Sequence, residues 1–136
     1  MSIFAKQTVS KVRLLQALWI FTALFQILIL LGLIDYRFIA GGRLESLEQA
    51  RQHLILAITV LLGFILIIER FYQSIVTKGW TKGWLRAVIF LIGLFFILNT
   101  IGNLLAKTIL ETLLFTPITL ISAFFCIQLA SKSKKA

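Results

Sequence analysis

Four stretches of this chain carry no Asp, Glu, Lys or Arg: 14–34, 52–68, 87–106 and 112–131. Each is roughly 17–21 residues long, and a helix needs roughly 20 apolar residues, within a range of about 17–25, to cross the hydrocarbon of a bilayer. None shows the period-two alternation of a barrel strand, and each is about twice the length of one. The shortest stretch continues past Glu69-Arg70 into Phe71-Tyr72-Gln73-Ser74-Ile75-Val76, so a helix over 54–76 crosses with the charged pair near one interface. The pattern predicts an all-α membrane protein, a four-transmembrane-helix bundle in one domain over 1–136. Its spans are expected at about 14–34, 54–76, 86–106 and 112–131. The first stretch exceeds the 7–15 residues of a signal-peptide core, and Asp35-Tyr36-Arg37 is no small-residue cleavage site, so it reads as a retained helix.

The connections are short and carry their own signals. In the first, Gly41-Gly42 breaks the chain, and Ser46 with Gln49 three residues on reads as a capping box that starts the second helix near Leu47. The second connection repeats a unit, Thr77-Lys78-Gly79-Trp80 then Thr81-Lys82-Gly83-Trp84. In the third, Lys107 ends one helix and Glu111 begins the next, each complementing its helix dipole. Pro117 falls in the first turns of the fourth helix, where a missing N–H costs least. A tight hairpin between helices three and four is expected.

Composition narrows the class. The chain is 60% hydrophobic and 14% charged, with mean hydropathy +0.99. Soluble domains run at about 45–50% apolar and about 25% charged, and small ones bury the smallest share of their surface. These figures argue against a water-soluble enzyme and against disorder. The net charge of +9 is distributed unevenly. Lys6, Lys11, Arg13, Arg70, Lys78, Lys82, Arg86, Lys132, Lys134 and Lys135 fall on one predicted side, and Arg37, Arg43, Arg51 and Lys107 on the other. Asp35, Glu45, Glu48 and Glu111 join the second group. The positive-inside rule then places both termini in the cytoplasm and the chain in the plasma (inner) membrane as a multi-pass protein. The charge is thus a topology signal, and no nucleic-acid partner is implied. Tyr72, Trp80 and Trp84 sit where an inner aromatic belt would, and Tyr36 and Phe38 where an outer one would. Lys78, Trp80, Lys82, Trp84 and Arg86 form an interfacial turn suited to anionic lipid headgroups.

Polar residues inside the uncharged stretches are the candidates for function, since they are unfavourable in lipid without partners. By the helical rise, Gln26, Thr59, Asn99 and Thr119 lie about 9–12 Å from the outer ends of their stretches. Asn99, Asn103 and Lys107 share one helix face, with Glu111 and Thr116 level with them on the fourth helix. Gln26, Thr59, Asn99, Asn103, Thr116 and Thr119 therefore predict a polar layer in the outer half, above an apolar inner half. It either packs the bundle through interhelical hydrogen bonds or binds a small or lipid-like ligand. A small oligomeric transporter or channel, and an accessory subunit of a larger membrane complex, are the alternatives. Catalytic chemistry is not indicated. Glu69 is neighboured by Arg70, His53 reads as interfacial, and the single Cys126 reads as a small buried hydrophobe. No catalytic pairing, cofactor motif or metal-ligand spacing is found in the sequence, so the protein is expected not to be an enzyme. Its expected partners are membrane lipids, with a second copy or a larger membrane complex.

The segment Asn99-Thr100-Ile101-Gly102-Asn103, then Lys107-Thr108, Glu111 and Thr116-Pro117, together with Gly41-Gly42, resembles a family of small bacterial four-helix integral membrane proteins. The resemblance covers the last third of the chain plus the glycine pair. It implies a bacterial plasma-membrane protein and carries no activity with it.

Overall fold

The computed structural model describes residues 3–132. Among them the chain is helical, with α1 over Ile3–Leu30, α2 over Leu47–Lys78, α3 over Gly83–Leu104 and α4 over Thr116–Lys132. A π-helical turn, Glu111–Phe115, leads into α4, and two 3-10 turns, Tyr36–Phe38 and Ala40–Gly42, lie between α1 and α2. Four helices are long and apolar enough to cross a membrane. Neighbouring helices run antiparallel. One end of the bundle, the terminal end, gathers the start of α1, the 79–82 turn and the end of α4. The other, the loop end, gathers 31–46 and 105–110. Lys134 and Lys135 of the charge count lie outside the described residues.

The helix ends follow local chemistry, and they differ from the uncharged stretches in places. α1 begins at Ile3, well before Leu14, and carries Lys6, Lys11 and Arg13 on its first turns. It stops at Leu30 because Gly32 adopts a left-handed φ of 78°. Gly32 N then donates to Ile29 O at 2.9 Å and Leu33 N to Leu28 O at 3.0 Å, the paired bonds of a Schellman cap. Gln26 is consequently one turn from the end of its helix. α2 starts at Leu47, as the capping residues predict, with Gln49 N donating to Ser46 Oγ at 3.2 Å. The return bond to Gln49 Oε1 comes from Glu45 N at 3.1 Å, one residue earlier than in the standard box. Ahead of it, Arg37 donates to both oxygens of Asp35 and holds that carboxyl below the usual carboxylate range.

The π turn has a cause in Pro117. A proline inside a regular helix lacks the N–H for the carbonyl four residues back and clashes with it. Here the chain widens one turn earlier, with Thr116 N donating to Glu111 O, and α4 becomes regular as Pro117 enters its first turn.

The core centres on Trp19, which is fully buried. Its ring stacks on Phe96 of α3 at 5.4 Å between centroids and tilts against Phe64 of α2 at 6.1 Å. Its Nε1 donates to Ser122 Oγ of α4 at 2.9 Å, and Ser122 passes its own proton to Ile118 O at 2.7 Å. One residue thus touches all three other helices. The longest seams run between α3 and α4 and between α1 and α2, with sparser packing of α2 on α3 and α1 on α4. Gly93 lets α3 and α4 approach closely. A Cβ there would sit 2.8 Å from Ile127 Cγ1 and 3.3 Å from Cys126 Cβ.

Gly93→Ala is expected to lower stability in detergent by about 1–3 kcal/mol through overpacking. Gly102→Ala, where an added Cβ meets nothing within 4 Å, is expected to be neutral or to stabilise by about 0.5–1 kcal/mol through helix propensity. Thermal unfolding of the two variants side by side separates close approach from generic glycine replacement.

Candidate functional site

Three successive residues at the loop end, Ala40 (φ 52°), Gly41 (φ 68°) and Gly42 (φ 70°), are left-handed. Glycine takes that conformation without strain, whereas Ala40 does not. The bend turns the Gly41 peptide towards the α3–α4 linker. Gly41 N donates to Glu111 Oε1 at 2.9 Å, and Lys107 N donates to Gly41 O at 3.1 Å. A Cβ on Gly42 would lie 3.5 Å from both Lys107 Cβ and Thr108 Cγ2, so the two segments lie in van der Waals contact. Glu111 is 5% exposed, and its second oxygen accepts from Thr108 Oγ1 at 2.8 Å. Sequence reasoning assigned Glu111 to the helix dipole, but the structure gives its carboxylate a specific partner in Gly41.

Beneath this clasp, α3 and α4 are joined by hydroxyls and an amide. Thr119 Oγ1 lies 2.9 Å from Thr100 Oγ1, accepts from Asn103 Nδ2 at 3.3 Å, and reaches its own backbone at Phe115 O at 3.0 Å. Thr112 Oγ1 donates to Asn103 O at 3.0 Å. Gly41, Gly42, Lys107, Thr108 and Glu111 meet in the clasp, Thr100 and Asn103 join the hydroxyls beneath it, and Thr116 N donates to Glu111 O. Of the predicted layer, Asn103 and Thr119 meet directly. Gln26 Oε1 and Thr116 Oγ1 are buried atoms without a hydrogen-bond partner. Asn99 is half-buried and donates to Phe95 O of its own helix at 3.1 Å.

Thr59 is the correction. It is exposed on the outside of α2 and bonds Ile55 O at 2.7 Å, so it does not line the layer. The error is angular: depth along a helix follows from residue number, but the face depends on which side α2 packs.

The layer also does not stop at one half. Trp19 and Ser122 bond in the middle of the bundle. At the terminal end Gln16, 8% exposed, donates to Glu69 Oε2 at 2.7 Å and accepts from Arg13 Nη1 at 2.6 Å. Arg13 also pairs with Glu69 at 3.2 Å and lies over the Tyr72 ring at 4.1 Å, while Gln73 bonds the other Glu69 oxygen at 2.8 Å. Glu69 is therefore matched by Arg13 of α1, whereas Arg70 beside it is exposed. This cluster was missed because the pairing needs the antiparallel register of α1 and α2.

In the repeated turn, Lys78, Lys82 and Trp84 are exposed and Trp80 is half-buried. Trp80 O accepts from Ser74 Oγ at 2.9 Å, and Gly79, left-handed at φ 72°, ends α2. Arg86 points elsewhere, donating from Nε to Ala130 O at 2.9 Å, where it caps the end of α4. Among the described residues no group of three or more His, Cys, Asp and Glu could hold a metal ion.

Thr119→Val is expected to destabilise the protein in detergent by about 0.6–2 kcal/mol, the range of interhelical hydrogen bonds in membrane proteins. Thr59→Val should leave the melting temperature unchanged. Equal effects of the two would contradict the assignment of Thr119 to the α3–α4 seam.

Comparison of the chain with known protein families, with curated proteins and with solved structures finds no match.

Proposed function

We propose that the chain is a four-pass integral protein of a bacterial plasma membrane with both termini cytoplasmic. In this reading it is a non-enzymatic structural or accessory component, in which the loop-end polar layer joins helices. Insertion is supported by the outward direction of the apolar surface. Only 22% to 44% of the residues in each helix's apolar window are buried. Ile55, Leu56, Leu62 and Leu66 along α2 are each more than half exposed. In water such surface costs about 25 cal/mol per Å², whereas in hydrocarbon it is at home. The orientation rests on charge. The terminal end carries Lys6, Lys11, Arg13, Arg70, Lys78, Lys82, Arg86 and Lys132, and four of the five acidic residues lie at the loop end. A bacterial plasma membrane is what the sequence resemblance implies; of its residues, Gly41, Lys107, Thr108 and Glu111 meet in the clasp.

The observation that carries the functional reading is the mutual pairing of Thr100, Asn103 and Thr119. A conduction path needs polar atoms turned to an open lumen, and here they are turned to each other. A ligand-binding reading retains Gln26 and Thr116, whose buried oxygens are unpartnered. A second reading, assembly with another copy or a larger complex, has its own support. The Phe64 and Phe95 rings lie 5.3 Å apart across antiparallel α2 and α3. Thr59 and Asn99, one turn further on, therefore lie at one level, with polar groups towards the outside of the bundle. Polar groups so placed favour contact with another helix.

Two measurements test this reading. A cysteine introduced between residues 44 and 48 is expected to react with an impermeant reagent in intact cells, and Ser131→Cys is expected to react only after lysis. The reverse pattern overturns the topology. Asn103→Leu should lower the melting temperature in detergent, with wild-type liposomes showing no solute flux. Flux that Asn103→Leu abolishes without loss of fold would establish transport instead.

A further inference from the structure

At the terminal end, α1 and α4 leave a groove that none of the pairings above fills. Its open part, about 440 Å³, is lined by Gln7, Ser10, Lys11 and Leu14 of α1 and Phe125 of α4. A narrower cleft of about 10 Å³ continues it between Gln7, Thr8 and Lys11 on one side and Gln128 and Lys132 on the other. Gln7 and Lys11 belong to both, so Lys11 stands where the two parts join. Its ammonium is held in place twice, by donation to Gln128 Oε1 and by the Phe125 ring at 5.8 Å.

The groove has a polarity along its length. Lys132 marks the end nearest the terminus, Lys11 the middle, and Leu14 with Phe125 the side towards the apolar span. No acidic side chain lines either part. Glu69, the one acidic side chain at this end among the described residues, is committed to Arg13, Gln16 and Gln73 on the α1–α2 side. Among the described residues, two like charges therefore line one cleft without an acidic side chain beside them, amid amides and hydroxyls that donate hydrogen bonds. An anion at the open mouth of the cleft offsets the repulsion and gains charge-assisted bonds.

We propose that the open part of this groove binds the phosphate of an anionic phospholipid at Lys11, at the mouth of the cleft that Lys132 lines, with Gln7 and Ser10 as neutral donors and an acyl chain along Leu14 and Phe125. The inference rests on the membrane reading above, which puts this end at headgroup depth. A phosphate could also arrive free in solution. The apolar Leu14–Phe125 continuation favours the lipid, since a free ion makes no use of it. The site is distinct from the Lys78–Trp84 turn: Lys132 is exposed like Lys78 and Lys82, but Lys11 is half-buried against Gln128 and Phe125.

The test uses the full chain in nanodiscs of phosphatidylcholine containing a minority of phosphatidylglycerol. Native mass spectrometry is expected to find one phosphatidylglycerol retained per chain. The Lys11→Gln, Lys132→Gln double variant should weaken retention roughly 30-fold, at about 1 kcal/mol for each lysine near acidic lipid. Lys11→Arg with Lys132→Arg should retain it, and Lys78→Gln with Lys82→Gln should leave it unchanged. A photoactivatable phosphatidylglycerol should crosslink the wild-type chain within 4–14 and 125–132, a readout that requires no variant to fold. Crosslinks elsewhere, or full retention by the double Gln variant, overturn the site. Inorganic phosphate that binds through the same lysines in neutral detergent, with no lipid retained, overturns the lipid assignment. Release of the chain from membranes by alkaline carbonate would overturn the membrane reading itself, whereas an embedded chain crosslinked elsewhere overturns only the groove.

Discussion

The indole of Trp19 holds the bundle to a single arrangement. A fully buried tryptophan brings a large apolar body and one N–H that must find an acceptor. Ser122 is that acceptor, and it exists as such because its own proton goes to the backbone of α4. Rotating or sliding α1 on α4 would therefore leave a buried donor unpaired, at a cost of about 1–3 kcal/mol. The same ring fixes α2 and α3 through Phe64 and Phe96. For the membrane-embedded bundle proposed above, apolar side chains gain little by leaving hydrocarbon for each other, so directional contacts of this kind, with close packing, select the partner face.

The remaining polar groups repeat this logic at other depths. Gln16, Arg13 and Glu69 join α1 to α2 near the terminal end, and Thr100, Asn103 and Thr119 join α3 to α4 near the loop end. Each set satisfies side chains that would be unfavourable alone in an apolar surround. Such bonds are individually weak, about 0.6 kcal/mol on average. Their value lies in spacing: a one-turn slip of either hairpin breaks a whole set at once.

Helix number and type were legible from the four uncharged stretches, and the start of α2 from Ser46 and Gln49. The end of α1 was expected near Ile34, and the stop at Leu30 comes from the left-handed Gly32, which the uncharged stretch runs past. What the sequence left open was rotation about each helix axis. Uniformly apolar helices give little periodicity to read, so Thr59 and Thr119, similar in depth, could not be told apart as outward and inward. Long-range partners were hidden for the same reason: Trp19 with Ser122, Arg13 with Glu69, and Gly41 with Glu111 each require a register that no local pattern encodes. The residues of the Gly41–Glu111 clasp were quotable from sequence, but their common location was not.

That common location bears on how the two hairpins cohere. Packing is extensive within α1–α2 and within α3–α4, and sparser between them. Hydrogen bonds bridge the hairpins at three depths: Lys11 with Gln128, Trp19 with Ser122, and Gly41 with Glu111 and Lys107. The last is the most constrained, because it needs left-handed backbone at Ala40, Gly41 and Gly42 and a carboxylate at 5% exposure. A buried carboxylate with only neutral donors is costly, and a left-handed alanine is strained, so neither persists unless the surrounding structure holds it. Each supplies what the other lacks, since the bend presents the Gly41 N–H and the carboxylate gives that N–H an acceptor. The loop between α1 and α2 is thereby part of the α3–α4 fold. A change that loosens either segment reaches the other hairpin through this peptide, while the Trp19 contact keeps the centre of the bundle in register.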